Sequence, residues 1–380
     1  MTEGFAPTPT ERAVGAIGAR LWWAAPAAAA LVTAALAELS IGREPIQADE
    51  AQRLGLADGP IGRLWETAWN DDLAHLTTNL FWKPWLAIAG SSEEAVRYPS
   101  VIFAGLAATV TVLIGKQLLG WLAGAVAGLA MATSGFVLGT ALHAASPALA
   151  LFLVTAATYA LLRATDGDRL PWWLAYVLLM ALTATASLAA VSVLAAHIAL
   201  LALRRPARVT VAAAAVGAVI ALVAGYVVLL ARTDAWRLDW LDSPTARSVG
   251  EALWAITGSN PVIAVAALAG LVALGLRYVP RADLSTAVLL GLWLIAPLLA
   301  TLAVSLWRPA FSSDYLVAMA PALALAAGAT VAAARRWQAA WIAGAFALAA
   351  GASVSTVDAL RTDTGVDWRA AARYVAAKRA

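Results

Sequence analysis

Cysteine is absent from this chain, and histidine and methionine are scarce: its 380 residues include no Cys, three His and four Met. No disulfide and no thiolate metal site can therefore form. Charge is scarce as well. Lys, Arg, Asp and Glu together make up 13% of the chain, against roughly 25% for an ordinary soluble domain. That is too little polar surface to cover the one or two soluble domains that the length would otherwise allow. The sequence pI is near 9.4, yet the net charge is only +3 and the basic residues are spread as topology signals, so nucleic acid is not an expected partner.

Apolar residues fill the space. They form 62% of the chain, with a mean hydropathy of +0.77, and they come in blocks of roughly twenty, the length that crosses a bilayer core as a helix. Backbone groups in lipid must bond within their own segment, so such blocks are helices, and the short alternating segments of a β-barrel are not seen. The expected fold class is an all-α polytopic membrane protein of about eleven transmembrane helices, over 22–41, 99–115, 121–142, 146–162, 171–185, 187–203, 209–231, 261–276, 284–306, 314–334 and 337–356. The fifth and sixth divide one apolar run, 171–203, with the break expected around Thr183, Thr185 and Ser187.

Charge orients this bundle. With the N-terminus inside, the inner segments hold twelve basic residues, Lys116, Arg163, Arg204 and Arg205 among them, against five acidic ones, and the short outer loops carry only Arg308. That is the positive-inside pattern, with the N-terminus cytoplasmic and the C-terminus extracytoplasmic. Residues 1–21 read as a short cytoplasmic tail and not as a cleaved signal peptide. The transmembrane domain is expected over 1–356, and 357–380 as a short extracytoplasmic tail, with Asp367-Trp368-Arg369 opening an amphipathic stretch. All three long outer segments, 42–98, 232–260 and 357–380, fall on one side of the membrane.

The first outer segment, 42–98, is the richest in chemistry. It packs nine acids, including Asp49, Glu50, Asp71 and Asp72, among Trp65, Trp69, Trp82 and Trp85. Trp favours the membrane interface, so short amphipathic helices along the outer leaflet are expected here. A carboxylate of the Asp49-Glu50 pair has the chemistry of a general base for an acceptor hydroxyl; a solvated acidic pair is the plain alternative. Asp49, Glu50, Asp71 and Asp72 also carry the oxygen ligands that a divalent cation takes. Arg97, Arg308, Lys83 and Arg53 are cations for a lipid phosphate, or helix-end anchors that snorkel to the surface. Glu38 sits one turn from the interface, where a solvated carboxylate is expected. His143 ends the third span, and His197 lies deep in the sixth, where a helix–helix hydrogen bond is expected.

The order of these elements resembles the GT-C superfamily of polytopic, lipid-linked-sugar glycosyltransferases, in the branch of the protein O-mannosyltransferases and lipid A aminoarabinose transferases. IQADEAQRLGLA stands where those proteins have an Asp-Glu pair after the first helix. HLTTNLFWKPWLAIAGSSEEAVRYPS follows their layout of a His stretch, a small-aromatic helix and an Arg-x-Pro-Ser approach to the second span. DWRAAARYVA is similar to the stretch that those proteins carry after their last span. The resemblance is strongest over 40–165 and returns at 311–330 and 367–376.

It implies an inverting sugar transfer from a polyprenyl-phosphate donor, the sugar being mannose or arabinose-like, to a lipid, glycan or protein acceptor at the extracytoplasmic face. Asp49 would be the base, and Glu50 would position either it or the acceptor. Asp72, His75, Arg97, Arg308 and Tyr315 would contact substrate. No particular cofactor is implied: some GT-C enzymes use a divalent cation, while this branch generally works without a metal. The chain departs from the family pattern at Leu76-Thr77, where relatives have Pro-Pro. It departs again at His143–Pro147, where many have Gln-Glu-Ala-Arg, and at Asp314, where an Arg often precedes Tyr-Leu. A transporter or flippase is the rival class, though nearly charge-free spans disfavour it. A non-catalytic GT-C relative acting as a scaffold is the third.

Overall fold

The fold was obtained as a computed structural model. It describes residues 23–43, 46–47, 50–51, 54–55, 59–70, 76–167, 169–232, 243–276, 279 and 282–334. Every regular element among them is helical.

Helices lie over ten of the eleven expected spans; 337–356 falls outside the described residues. The first is α1 (Ala24–Glu38). The first outer segment then contributes α2 (Ile61–Asn70) and α3 (Leu76–Ala89). Next come α4 (Glu93–Leu118), α5 (Trp121–Ala132), α6 (Gly135–Ala141), α7 (Ser146–Gly167), α8 (Leu170–Ala186), α9 (Leu188–Val191), α10 (Leu194–Arg204) and α11 (Val209–Leu230). The rest are α12 (Ala246–Ile256), α13 (Pro261–Gly275), α14 (Leu284–Ser305), a 3₁₀ segment (Ser313–Met319) and α15 (Ala320–Ala333). Among the described residues, five helical stretches are individually long and apolar enough to cross a membrane, or up to seven if each bent pair is one span.

The differences from expectation have local causes. α4 begins six residues before the expected span. Ser92 caps it by accepting the Ala95 N–H at 3.2 Å, and Glu93 and Glu94 sit in its first turn, where acids complement the helix dipole. The third span is broken, with α5 and α6 meeting at 58°. The second outer segment holds α12, opened by a Thr245–Ser248 capping box and turned 90° into α13. Gly258 (φ 71°) makes that turn; a Cβ there would press on the Gly135 backbone at the α5–α6 break. The division of the run 171–203 falls where the hydroxyl residues placed it, with Ser187 extended (φ −161°, ψ 110°) at the end of α8.

Packing in the bundle relies on small residues that let backbones approach. Cβ atoms added at Gly124 and Gly328 would run into the backbones of α4 and α5, and one at Gly270 of α13 into the Ala326 carbonyl of α15. Deeper in the bundle, His197 of α10 pairs with Thr158 of α7 at 2.9 Å and with Tyr176 of α8 at 3.3 Å, the helix–helix bonding expected of it. Polar networks sit at both ends. At one, Asp166 of α7 accepts from Gln117 of α4 (2.6 Å) and from Arg204 of α10 (3.2 Å), and Arg204 donates to Ser285 of α14 (3.1 Å). The other end carries the first outer segment.

Candidate active site

The motif Arg97-Tyr98-Pro99-Ser100 opens α4 inside the protein, and each of its residues has a task. Proline has no N–H, so Pro99 leaves the carbonyl of Ala95 without its helical partner. The indole of Trp85 in α3 donates to that carbonyl at 2.7 Å. Trp82, one turn earlier in α3, donates to the Val96 carbonyl at 2.8 Å. Ser100 donates to the carbonyl of His143 at 2.6 Å, which ties α4 to the turn between α6 and α7. Tyr98 is half-buried and donates to Glu38 at 3.2 Å; Glu38 is exposed, as its place near the helix end implied.

Arg97 turns inward and is 1% exposed. Its Nε and Nη2 donate to the two carboxylate oxygens of Glu50, at 3.0 and 2.8 Å, and its Nη1 donates to the carbonyl of Ile41 at 2.8 Å. The Glu50 oxygens also accept the backbone N–H of Ala144 (2.8 Å) and of Gln47 (2.9 Å). Four N–H groups thus converge on one fully buried carboxylate. Burial by itself would raise the Glu50 pKa; the hydrogen bonds from Arg97, Gln47 and Ala144 and the Arg97 charge outweigh it and hold the group below its ordinary value of 4.5. The pair ties together the end of α1, the first outer segment, the start of α4 and the turn before α7.

Two of the expected site residues, Glu50 and Arg97, are therefore in direct contact. Arg308 and Tyr315 lie on the connection between α14 and α15, the first exposed and the second half-buried. Val317 of the same connection joins an apolar cluster whose members include Ile41 and Leu142. Asp49, Asp72 and His75 lie outside the described residues, as do Arg53 and Asp71. Of the four acids with cation-binding chemistry, the one that is described, Glu50, is engaged by Arg97. No group of three or more potential metal-ligating side chains occurs among the described residues. Lys83 donates to the Gly59 carbonyl. His143, in the turn after α6, bonds the Gly139 carbonyl of that helix at 2.9 Å.

The amphipathic helices of the first outer segment divide their tryptophans. In α2, Trp65 and Trp69 are 48% and 60% exposed while Leu64 is buried. In α3, Trp82 and Trp85 turn inward as hydrogen-bond donors. The partners that sequence reading missed are backbone atoms, the Ala144 N–H and the Ile41 carbonyl, which no residue type announces.

Residues 76–230 match the family described as dolichyl-phosphate-mannose-protein mannosyltransferase. No curated protein matches the chain. Among solved structures, ArnT from Cupriavidus metallidurans bound to undecaprenyl phosphate is similar, with a TM-score of 0.56 at 14% identity over 82% of this chain and 60% of that one. Its apo state gives a TM-score of 0.56 at 16% identity over 83% and 60%. The chain thus spans about 60% of the length of these solved proteins. Their shared architecture is the GT-C fold that the sequence resemblance implied.

Proposed function

We propose, from a GT-C membrane fold that carries a mannosyltransferase-family segment over 76–230, that this chain transfers one sugar from a polyprenyl-phosphate donor to an acceptor at the extracytoplasmic face. In this reading Asp49 is the base. Its carboxylate takes the proton of an acceptor hydroxyl as the oxygen forms a bond to the anomeric carbon. The bond from that carbon to phosphate oxygen breaks with inversion, and polyprenyl phosphate departs. Mannose or an arabinose-like pentose is the sugar, and a lipid, glycan or protein is the acceptor. Asp72, His75, Arg308 and Tyr315 serve the donor headgroup.

The observation that carries this reading is the convergence on Glu50. A carboxylate that already accepts four N–H groups is poorly suited to take a proton, and is well suited to fix the backbone beside residue 49. Arg97, engaged in that convergence, acts with Glu50 as a positioning residue. The N-in, C-out orientation supported by the basic residues puts this end of the bundle outside, beside the lipid headgroups.

The test is transfer by the purified chain in nanodiscs, from a polyprenyl-phosphate mannose or arabinose donor. Asp49→Asn is expected to lower the transfer rate by about 10²- to 10⁴-fold, the range for a lost general base, with donor binding retained. A wild-type rate in that variant removes the base assignment.

A further inference from the structure

Four buried side-chain polar atoms among the described residues have no hydrogen-bond partner: Ser40 Oγ, Thr78 Oγ1, Asn79 Oδ1 and Trp173 Nε1. Groups of this kind are rare in folded proteins, because an unmade buried hydrogen bond costs the full desolvation of the atom. Three of the four lie at the end of the bundle that holds the Glu50–Arg97 pair. Ser40 precedes Ile41, whose carbonyl Arg97 uses. Thr78 and Asn79 are 1% and 3% exposed in the first turn of α3.

The helical repeat places this pair. Thr78 and Asn79 stand four and three residues before Trp82, so they share its face of α3. Trp82 belongs to the same apolar cluster as Val96 and Ala144, the neighbour of Arg97 and the donor to Glu50. The pair thus lies one turn along the stripe that faces the candidate site. The preceding residue, Thr77, already bonds Thr185 at the end of α8, which fixes this turn of α3 against the bundle. A fixed amide oxygen and a fixed hydroxyl, side by side and unpaired, suit a ligand that brings hydroxyl groups. The oxygen of Asn79 accepts from one, and the hydroxyl of Thr78 donates or accepts with the next.

We infer that Thr78 and Asn79 read hydroxyl groups of the sugar carried by the lipid-linked donor, and so help determine which sugar is transferred. This rests on the functional reading above, deepens it to specificity, and assigns the pair a role apart from the base and from the phosphate contacts.

The test compares binding of three probes to the purified full chain in nanodiscs: a mannosyl polyprenyl phosphate, an arabinosyl polyprenyl phosphate and the same polyprenyl phosphate without sugar. Wild type is expected to bind at least one sugar-bearing lipid more tightly than the bare phosphate. Thr78→Val and Asn79→Leu, near-isosteric changes, are expected to weaken that binding about tenfold each while changing bare-phosphate binding less than twofold. Unliganded, both variants should melt at or above the wild-type temperature, since each replaces an unpaired polar atom by an apolar one. Equal losses for sugar-bearing and bare lipid, unchanged binding of all three, or a lowered melting temperature without ligand would each overturn the inference in favour of a structural or water-filled pair. A wild type that binds bare phosphate but prefers no sugar overturns it too, and leaves the lipid-phosphate reading intact. A wild type that binds none of the three lipids overturns both.

Discussion

Trp85 supplies the hydrogen bond that Pro99 cannot make. The proline sits seven residues into α4 and has no N–H for the carbonyl four residues back, and the indole of Trp85 reaches that Ala95 carbonyl at 2.7 Å. An Arg-x-Pro-Ser stretch thereby docks α3 onto the opening of a membrane helix, because a missing backbone donor makes a side chain from elsewhere necessary. Trp85→Phe keeps most of the ring volume and removes the donor, which leaves a partly buried carbonyl unpaired. A cost of about 1–3 kcal/mol is expected. In a Pro99→Ala background the residue-99 N–H can satisfy that carbonyl, so the cost of Trp85→Phe should shrink. Melting temperatures of the four proteins of this double-mutant cycle measure the coupling. Strict additivity would mean that the shared carbonyl is not what links them.

The Glu50–Arg97 pair predicts a pH dependence with a definite sign. The folded pKa of Glu50 lies below 4.5, so its ionised form is favoured by folding, and its contribution to stability is fully present above 4.5. That contribution is lost as pH falls through the lower, folded value. Between neutral pH and about 4.5 this group should leave stability flat; below that, wild type should weaken. Glu50→Gln should be less stable throughout the upper range, by about 3–5 kcal/mol if it strands a buried guanidinium, and its deficit relative to wild type should narrow in acid. Arg97→Lys should not rescue, because an ammonium cannot supply the two-point fork that meets both Glu50 oxygens. Thermal melts from pH 3.5 to 7.5 decide this; a deficit that widens in acid would contradict the ion-pair account.

Much of the scaffold was legible in the sequence because the bilayer enforces it. Blocks of twenty apolar residues have few other outcomes, and even the break near Ser187 could be read from three hydroxyl residues in one long run. The start of α4 was misplaced because a charged first turn, Glu93-Glu94, does not look like a membrane span, although Ser92 before it is an ordinary cap. α12 went unread because a short interfacial helix has neither the length nor the apolarity of a span. At the site, the pairing of Glu50 with Arg97 across 47 positions was not readable from spacing. Both residues stood out as members of a pattern, but nothing local says that one carboxylate will meet one guanidinium and two backbone N–H groups from separate elements. The inward turn of Trp82 and Trp85 was hidden for a related reason: tryptophan serves equally as an interfacial anchor and as a buried donor.

The connection between α14 and α15 allows the donor-headgroup assignment to be tested by charge alone. Arg308 is exposed near the end of α14, and Asp314 is exposed one residue before Tyr315. If a lipid phosphate approaches this connection, Arg308 attracts it and Asp314 opposes it, and each term weakens with salt because both side chains face solvent. Arg308→Ala should therefore weaken binding of a bare polyprenyl phosphate several-fold at low ionic strength. Asp314→Arg should strengthen it by a similar factor, and both effects should fade as salt is raised. Asp314→Asn should give about half the gain with an unchanged melting temperature, which separates an effect of charge from one on the fold. Equilibrium binding in nanodiscs at two salt concentrations measures all three variants. If Asp314→Arg leaves affinity unchanged and Arg308→Ala does the same, the phosphate does not visit this connection, and the cation for the departing group has to be sought elsewhere on the first-loop end of the bundle.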